Sequence, residues 1–271
     1  MNGNSRFRLS ELSGERIIGG VMRRLLQVRS IATWNYSARA KSNRQRLAAY
    51  HNRFAGKRCF IIANGPSLTK MDLSPLRNEI TFGMNRFYLL FEQLGFETSF
   101  YVAVNDLVIK QYHQDINKLQ MPKFLNWDYQ HLFPEREDFL FFKTNMAFQD
   151  RFSKMMLQPV SSGGTVTYVT LQLAFFLGFQ EVILIGLDHN YVSKGVPNTV
   201  RIRETKEDQD HVHPDYFPKG IKWQIPDLRR SELAYELARK AFEGEGRSVV
   251  DATVDGKCMV FEKATFSSLF K

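Results

Sequence analysis

The 271-residue sequence predicts an α/β protein. The expected architecture is a mostly parallel, Rossmann-like sheet flanked by helices, with a lid-like insertion and a basic helical N-terminal arm. Three observations predict it. Short apolar runs recur along the chain and stop at an Asn or a Gly. Helical patterns separate those runs. The first run passes straight into Asn64-Gly65-Pro66-Ser67, where strand pairing must stop. Short strands alternating with helices are the signature of a parallel sheet with crossover connections.

In chain order, residues 1–56 form the arm. Ile17, Ile18, Val21, Met22, Leu25 and Leu26 recur at helical spacing, with Arg16, Arg23 and Arg24 mostly on the other side. That pattern reads as a basic amphipathic helix, suited to an anionic membrane surface or to docking on the body. An Arg-rich, acid-poor start also resembles an organelle transit segment. Residues 36–56 read as a solvated helix leading into the first strand.

The body spans residues 57–271. In KRCFIIANGPSL, Lys57 to Leu68, the strand is Cys59 to Ala63. Further strands are expected at Ile80–Met84, Phe100–Val104, Lys123–Leu125 and Phe139–Phe142, with a helical stretch from Arg86 to Leu94. Ser161-Ser162-Gly163-Gly164 precedes a helix from Thr165 to Leu177 that stops at Gly178. A buried strand, Glu181–Gly186, ends in Leu187-Asp188. Residues 189–226 form a long polar segment, and connections of that length are usually functional. A last amphipathic helix, Asp227–Glu243, and a strand, Ser248–Asp251, close the pattern.

Composition narrows the function. Residues 1–58 carry 13 Lys/Arg against 2 acids, and the remainder 24 against 26, so the net charge of +9 belongs to the arm. A basic arm can meet anionic lipid, nucleic acid or an acidic partner. The balanced body argues against a nucleic-acid partner. No run of about 18 apolar residues predicts a transmembrane helix, and the start lacks the apolar core of a secretory signal. Two cysteines, Cys59 and Cys258, with no CxxC, fit a reduced, cytoplasmic setting.

The candidate site is a set of residues at strand ends. Gly65 would let backbone approach a phosphate, and Ser67 offers a hydroxyl. Asn64, Asn85 and Asn105 fall at the carboxyl ends of three successive strands, the edge at which open α/β sheets bind ligands. An amide donates and accepts, so it can hold ribose, phosphate or base edges without adding charge; each is equally a good turn residue. Ser161, Ser162, Gly163 and Gly164 add hydroxyls and N–H groups at a helix start, and Gly186 ends the next strand. His211 and His213 are candidate general bases. Asp188, Tyr191 and Tyr216 are nearby donors and acceptors, and His189 lies beside them. No metal site is expected.

IIANGPSL, GMNRFY and SSGG–helix–GFQEVILIGLDHNY resemble segments of the bacterial CMP-sialic acid-dependent sialyltransferases of glycosyltransferase family 42. They also resemble bacterial surface-polysaccharide proteins related to the 6-hydroxymethylpterin diphosphokinase fold. The likeness runs over roughly residues 57–255. It implies that Asn64, Asn85, Asn105, Ser162 and Gly163 line a CMP-sugar pocket, that Gly195 to Gly220 is a lid, and that transfer needs no metal. The chain departs from the sialyltransferases at Pro159, where they carry Arg, and at Asn190, where they carry Tyr. It also lacks their histidine near Trp223, so His211 or His213 would take the base role. The diphosphokinases' Asp-x-Asp is here Asn105-Asp106, and their His-Ala-His-Gly-Asp-Asn motif is missing.

The expected function is inverting, metal-independent transfer of a sugar from a nucleotide donor to a glycan or lipid-linked glycan acceptor, with no cofactor. The expected location is cytoplasmic or peripheral on the inner membrane face, and a homo-oligomer is compatible with the sequence. Two alternatives stand beside it: a pyrophosphoryl transferase using ATP and Mg, and a non-catalytic scaffold.

Overall fold

The computed structural model describes residues 28–145, 149–193, 195–205 and 208–270. The chain divides into two compact units, Met1–Ser42 and Asn43–Lys271. Of the first, residues 28–36 are helical and helix α1, Ala38–Ala48, begins before its end. The amphipathic stripe expected between Ile17 and Leu26 lies outside the described residues. Among the described residues no helix is long and apolar enough to cross a membrane.

In the second unit the elements follow in this order: β1 Arg58–Ile62, β2 Thr81–Met84, α2 Phe91–Leu94, β3 Phe100–Ala103, α3 Asp106–Lys118, β4 Lys123–Asn126, β5 Phe139–Phe142, β6 Thr144–Asn145 and β7 Val160–Ser161. Then come α4 Val166–Leu177, β8 Glu181–Ile185, β9 Val200–Ile202, β10 Lys222–Gln224, α5 Leu228–Glu243, β11 Ser248–Asp251 and β12 Glu262–Lys263. Eight strands form one sheet in the order β12-β11-β8-β1-β2-β3-β4-β5, and every pair in it is parallel. The chain builds outward from β1 to β5 and then returns across β1 to β8. Strand order therefore reverses between β1 and β8, and the loops leaving those two strands diverge. Such a switch point opens a crevice at the carboxyl edge.

Alternation along the strands sorts the core into two layers. Cys59, Ile61, Phe82, Met84, Val182 and Leu184 face α4 and α5. Phe60, Ile62, Ile183 and Ile185 face the 3₁₀ turns that carry Leu68, Leu76 and Phe87. Parallel strands covered on both faces read as continuous apolar runs, which is why FII and VILI stand out in the sequence. Helix α4 is buried at Thr167 through Leu177, as expected of a helix apolar all round. Thr165 caps it through its side chain, and Gly178 in the left-handed region ends it. The helical stretch expected over Arg86–Leu94 is a 3₁₀ turn, Phe87–Leu90, running into the single turn α2. Helix α3, capped by Asn105, has no counterpart among the sequence expectations.

The residues before β1 are helical over Ala38–Ala48 and mostly exposed, as expected, with Asn43 and Leu47 among the buried exceptions. Leu47 is fully buried in the core. The Asn52 and Phe54 N–H groups donate to the last carbonyls of α4, at Phe176 and Leu177. Asn43 is also fully buried. Its Nδ2 donates to the Phe141 carbonyl (2.8 Å) and its Oδ1 accepts from the Phe141 N–H (2.7 Å). One amide thus occupies the outer edge of β5, the last strand of the sheet, where an uncovered strand would invite pairing with another chain. Asn43→Ala removes both bonds from a buried edge. It is predicted to cost about 2 kcal/mol or more, read as a lower midpoint in chemical denaturation; an unchanged midpoint would contradict this role.

Candidate functional site

A cavity of about 410 Å³ opens at the carboxyl edge, over the β1–β8 switch point. Its floor is built by two turns that press together. The Gly65 N–H donates to the Gly186 carbonyl (3.0 Å). Ser67 donates to the Asp188 carboxylate from its backbone N–H (2.8 Å) and from its hydroxyl. A Cβ on Gly65 would lie 2.4 Å from the Asp188 carboxylate and 2.6 Å from the Gly186 carbonyl, so only glycine fits. Gly186 and Asp188 line the cavity, whereas Ser67 is spent on holding Asp188 and does not.

Around this floor runs a row of amides. Asn64, Asn85 and Asn105 all line the cavity, and so does Asn126 at the end of β4. One asparagine thus follows or ends each of β1, β2, β3 and β4. Asn126 was legible in the sequence as Phe-Leu-Asn after an apolar run, the same signal as its neighbours. The four are not equivalent. Asn105 accepts from the Leu107 and Val108 N–H groups through its Oδ1, so it caps α3 as well as lining the cavity. Asn126 caps the following turn in the same way. Asn64 donates through Nδ2 to the Met84 carbonyl (3.1 Å). The Oδ1 atoms of Asn64 and Asn85 are buried and have no hydrogen-bond partner. Asn85 also takes a left-handed backbone, φ 52°, which asparagine tolerates better than most residues.

Ser162, Gly164, Thr165, Val166 and Thr167 bring the start of α4 to the same cavity. Ser161 and Gly163 do not reach it. They donate to Asp150 instead, from the Ser161 hydroxyl (2.6 Å) and the Gly163 N–H (3.2 Å). Gly163 lets α4 and α5 close up, since a Cβ there would lie 2.3 Å from the Tyr168 ring and 2.7 Å from the Ala234 Cβ. Arg230, on α5, lines the cavity and was not foreseen; beside Arg229 in an amphipathic helix it carries no sequence signal of its own.

The polar segment after β8 folds over the opening. Strands β9 and β10 pair antiparallel, and the loop between them returns to the strand ends. The Val212 N–H donates to the Asn64 carbonyl (2.8 Å). The buried Arg86 guanidinium donates to the Asp215 and Tyr216 carbonyls and sits 4.0 Å over the Tyr112 ring. Tyr216 is buried, and burial pushes its hydroxyl well above the usual range against the pull of its bonds with Asn85 and Arg86. Tyr191 also lines the cavity. Burial, then the charges of Asp210, Asp188 and Asp208, push its hydroxyl up to about 12, so it stays a proton donor.

His211 faces the cavity from this loop, and its ring stacks on Tyr216 at 3.9 Å with Phe217 edge-on at 5.1 Å. Its Nδ1 lies 2.9 Å from the Asp208 carboxylate. Burial raises the Asp208 pKa, but the His211 bond, the Asp210 N–H and Arg203 together hold it below the usual range. The carboxylate is therefore ionised and can only accept. Nδ1 therefore donates to Asp208, and Nε2 stays out of that bond. A base held by an acidic partner is the arrangement found in activated sites. Asp208 escaped sequence reading, although Asp-x-x-His in a polar loop was the available signal. His213 lies outside the lining, and its Nδ1 accepts from the Asp215 N–H (3.1 Å). His189 lines the cavity too, with Nε2 3.1 Å from Glu232.

Residues 35–194 match the family described as 6-hydroxymethylpterin diphosphokinase MptE-like. The chain belongs to this family. The match takes in β1 to β8, the amide row and the start of α4, and ends before β9, His211 and α5. Among solved structures the chain is similar to the MAf glycosyltransferase from Magnetospirillum magneticum AMB-1, at 13% identity and a TM-score of 0.51. That likeness covers 84% of this chain and 38% of the other, so the chain spans well under half of its neighbour's length, and the likeness is one of fold. A search of curated proteins finds no match.

Burial holds the His189 pKa below the usual range, and the charge and bond of Glu232 offset only part of that. The unfolded value is about 6.5, so the unfolded chain takes up this proton first as pH falls. Folding stability is predicted to decline as pH drops through about 6.5 toward the lower folded value. His189→Gln should flatten that part of the profile, read from urea midpoints between about pH 7.5 and 5; an unchanged slope would contradict the assignment.

Proposed function

We propose that this protein is a glycosyltransferase that moves a sugar from a nucleotide donor to a glycan or lipid-linked glycan acceptor, with inversion at the sugar. A CMP-activated acidic sugar is the donor we favour. The observation that carries the reading is that a row of strand-end amides and an Asp-held imidazole share one cavity at the switch point. Asn64 and Asn85 offer unmatched acceptors to ribose or sugar hydroxyls. The start of α4 offers N–H groups and a partial positive charge to a phosphate.

In the reaction, the acceptor hydroxyl oxygen bonds to the anomeric carbon as the bond from that carbon to the donor phosphate oxygen breaks. His211 Nε2 takes the hydroxyl proton, and Asp208 stabilises the imidazolium that forms. The departing nucleotide phosphate gains charge, which the α4 N–H groups and the Tyr191 hydroxyl meet. No step is assigned to a metal ion. Among the described residues no three His, Cys, Asp or Glu side chains gather as ligands.

The family description favours a second reading, pyrophosphoryl transfer from ATP with Mg. The residues fit that cation poorly. Where the diphosphokinases carry paired carboxylates, Asn105 caps a helix and Asp106 pairs with Lys110 at 3.4 Å.

Two measurements test the proposal. Thermal shift against CMP, CDP, UDP, ATP and ATP with magnesium separates the readings. A ligand at about 100 times its dissociation constant stabilises by about 2.7 kcal/mol. A CMP response without magnesium is expected, and a response only to ATP with magnesium would favour the second reading. In a turnover assay, His211→Ala is expected to lose roughly 10²- to 10⁴-fold and His213→Ala to stay near the parent rate. Equal rates for the parent and His211→Ala would remove His211 from the mechanism.

A further inference from the structure

The cavity is polar in a patterned way, and two of the residues that set the pattern, Asp210 and Arg230, lie beyond the family match. Asn64 Oδ1, Asn85 Oδ1 and Asp210 Oδ2 are buried acceptors without partners, and all three residues line the cavity. Asn64 is 9% exposed and Asp210 6%. Buried acceptors left unmatched are costly, so this part of the wall suits a ligand rich in hydroxyl or amino donors. Charge points elsewhere. Asp106, Asp188 and Asp210 contribute carboxylates to the lining, and among its described residues Arg230 is the one Lys or Arg side chain.

Arg230 is held in place. Its Nε donates to Asp150 Oδ2 (2.7 Å) and its Nη2 to Asp150 Oδ1 (3.0 Å). The same carboxylate accepts from the Ser161 hydroxyl and the Gly163 N–H, so it ties α5 to the loop that starts α4. The stem of Arg230 runs over Gly164, where a Cβ would meet Cδ at 3.3 Å. The bidentate contact uses Nε and Nη2 and leaves Nη1 out of it. Side-on pairing of this kind fixes the guanidinium plane. It sets a cation beside the first N–H groups of α4, and both favour an anion.

We propose that Arg230, positioned by Asp150, forms with the start of α4 an anion subsite for the donor's phosphate, while Asn64, Asn85 and Asp210 receive the donor's hydroxyl or amino groups. This rests on the nucleotide-donor reading above and adds to it how the donor is oriented. The subsite therefore selects for the phosphate and not for the nucleoside. Asp150 acts through Arg230 and is a positioning residue.

The test compares CMP with cytidine by calorimetric titration of the full chain, in the parent, Arg230→Gln and Asp150→Asn. Arg230→Gln keeps the stem over Gly164 and removes the charge. It is expected to weaken CMP by about 10- to 100-fold, the worth of a hydrogen bond to a charged group, and to leave cytidine unchanged. Asp150→Asn should lose a smaller factor for CMP, again with cytidine unchanged. Retained cytidine binding shows that the site is folded. Equal losses for CMP and cytidine, or no loss of CMP, would overturn the subsite while leaving the nucleotide reading intact. If another nucleotide of the panel binds in place of CMP, it is compared with its own nucleoside under the same criteria. If the parent binds no nucleotide, both the reading and the subsite fail.

Discussion

The contact on which the site depends is the bridge from Ser67 to Asp188 across the β1–β8 switch point. The connections that leave these two parallel strands run to opposite sides of the sheet, and nothing in a parallel ladder holds the outgoing loops together. The bridge does so, with the Gly65 N–H bonded to the Gly186 carbonyl beneath it. Its cost is steric: the turn is so tight that Gly65 has no room for a Cβ. What it secures is a floor to which the amides, the start of α4 and the segment between β9 and β10 can be referred.

The segment between β9 and β10 is joined to that floor by main-chain hydrogen bonds. Asn64 contributes its carbonyl to Val212, and Arg86 reaches two carbonyls of that segment, at Asp215 and Tyr216, from the end of β2. Both anchors belong to residues next to the ligand edge. His211 lies in the segment that these two anchors hold. On the opposite wall, Asp150 plays the matching part by tying the loop before α4 to α5.

Much of the fold was legible because the sheet is buried on both faces. Strands such as FII and VILI are apolar without alternation, and each ends at Asn or Gly, so position and direction could both be read. The amide row was legible for the same reason. The roles of Ser67, Ser161 and Gly163 were not. A hydroxyl or N–H beside a glycine turn looks the same in sequence whether it faces a ligand or a carboxylate 121 residues away, as Ser67 does Asp188. The choice between His211 and His213 was closed to sequence reading as well. They lie two residues apart in one loop, and only the neighbours Asp208 and Tyr216 distinguish them.

By itself the sequence determined the order of the main strands of the sheet, its parallel class, and most of the residues that stand at its carboxyl edge. Those follow from local periodicity and from where apolar runs must stop. The tertiary structure decided which strand lies beside which, which polar groups satisfy one another and which remain unmatched at the cavity. Those are properties of contacts between distant segments. Arg230 is the plainest case, since only the packing of α5 against the loop before α4 turns a helix-surface arginine into part of the cavity wall.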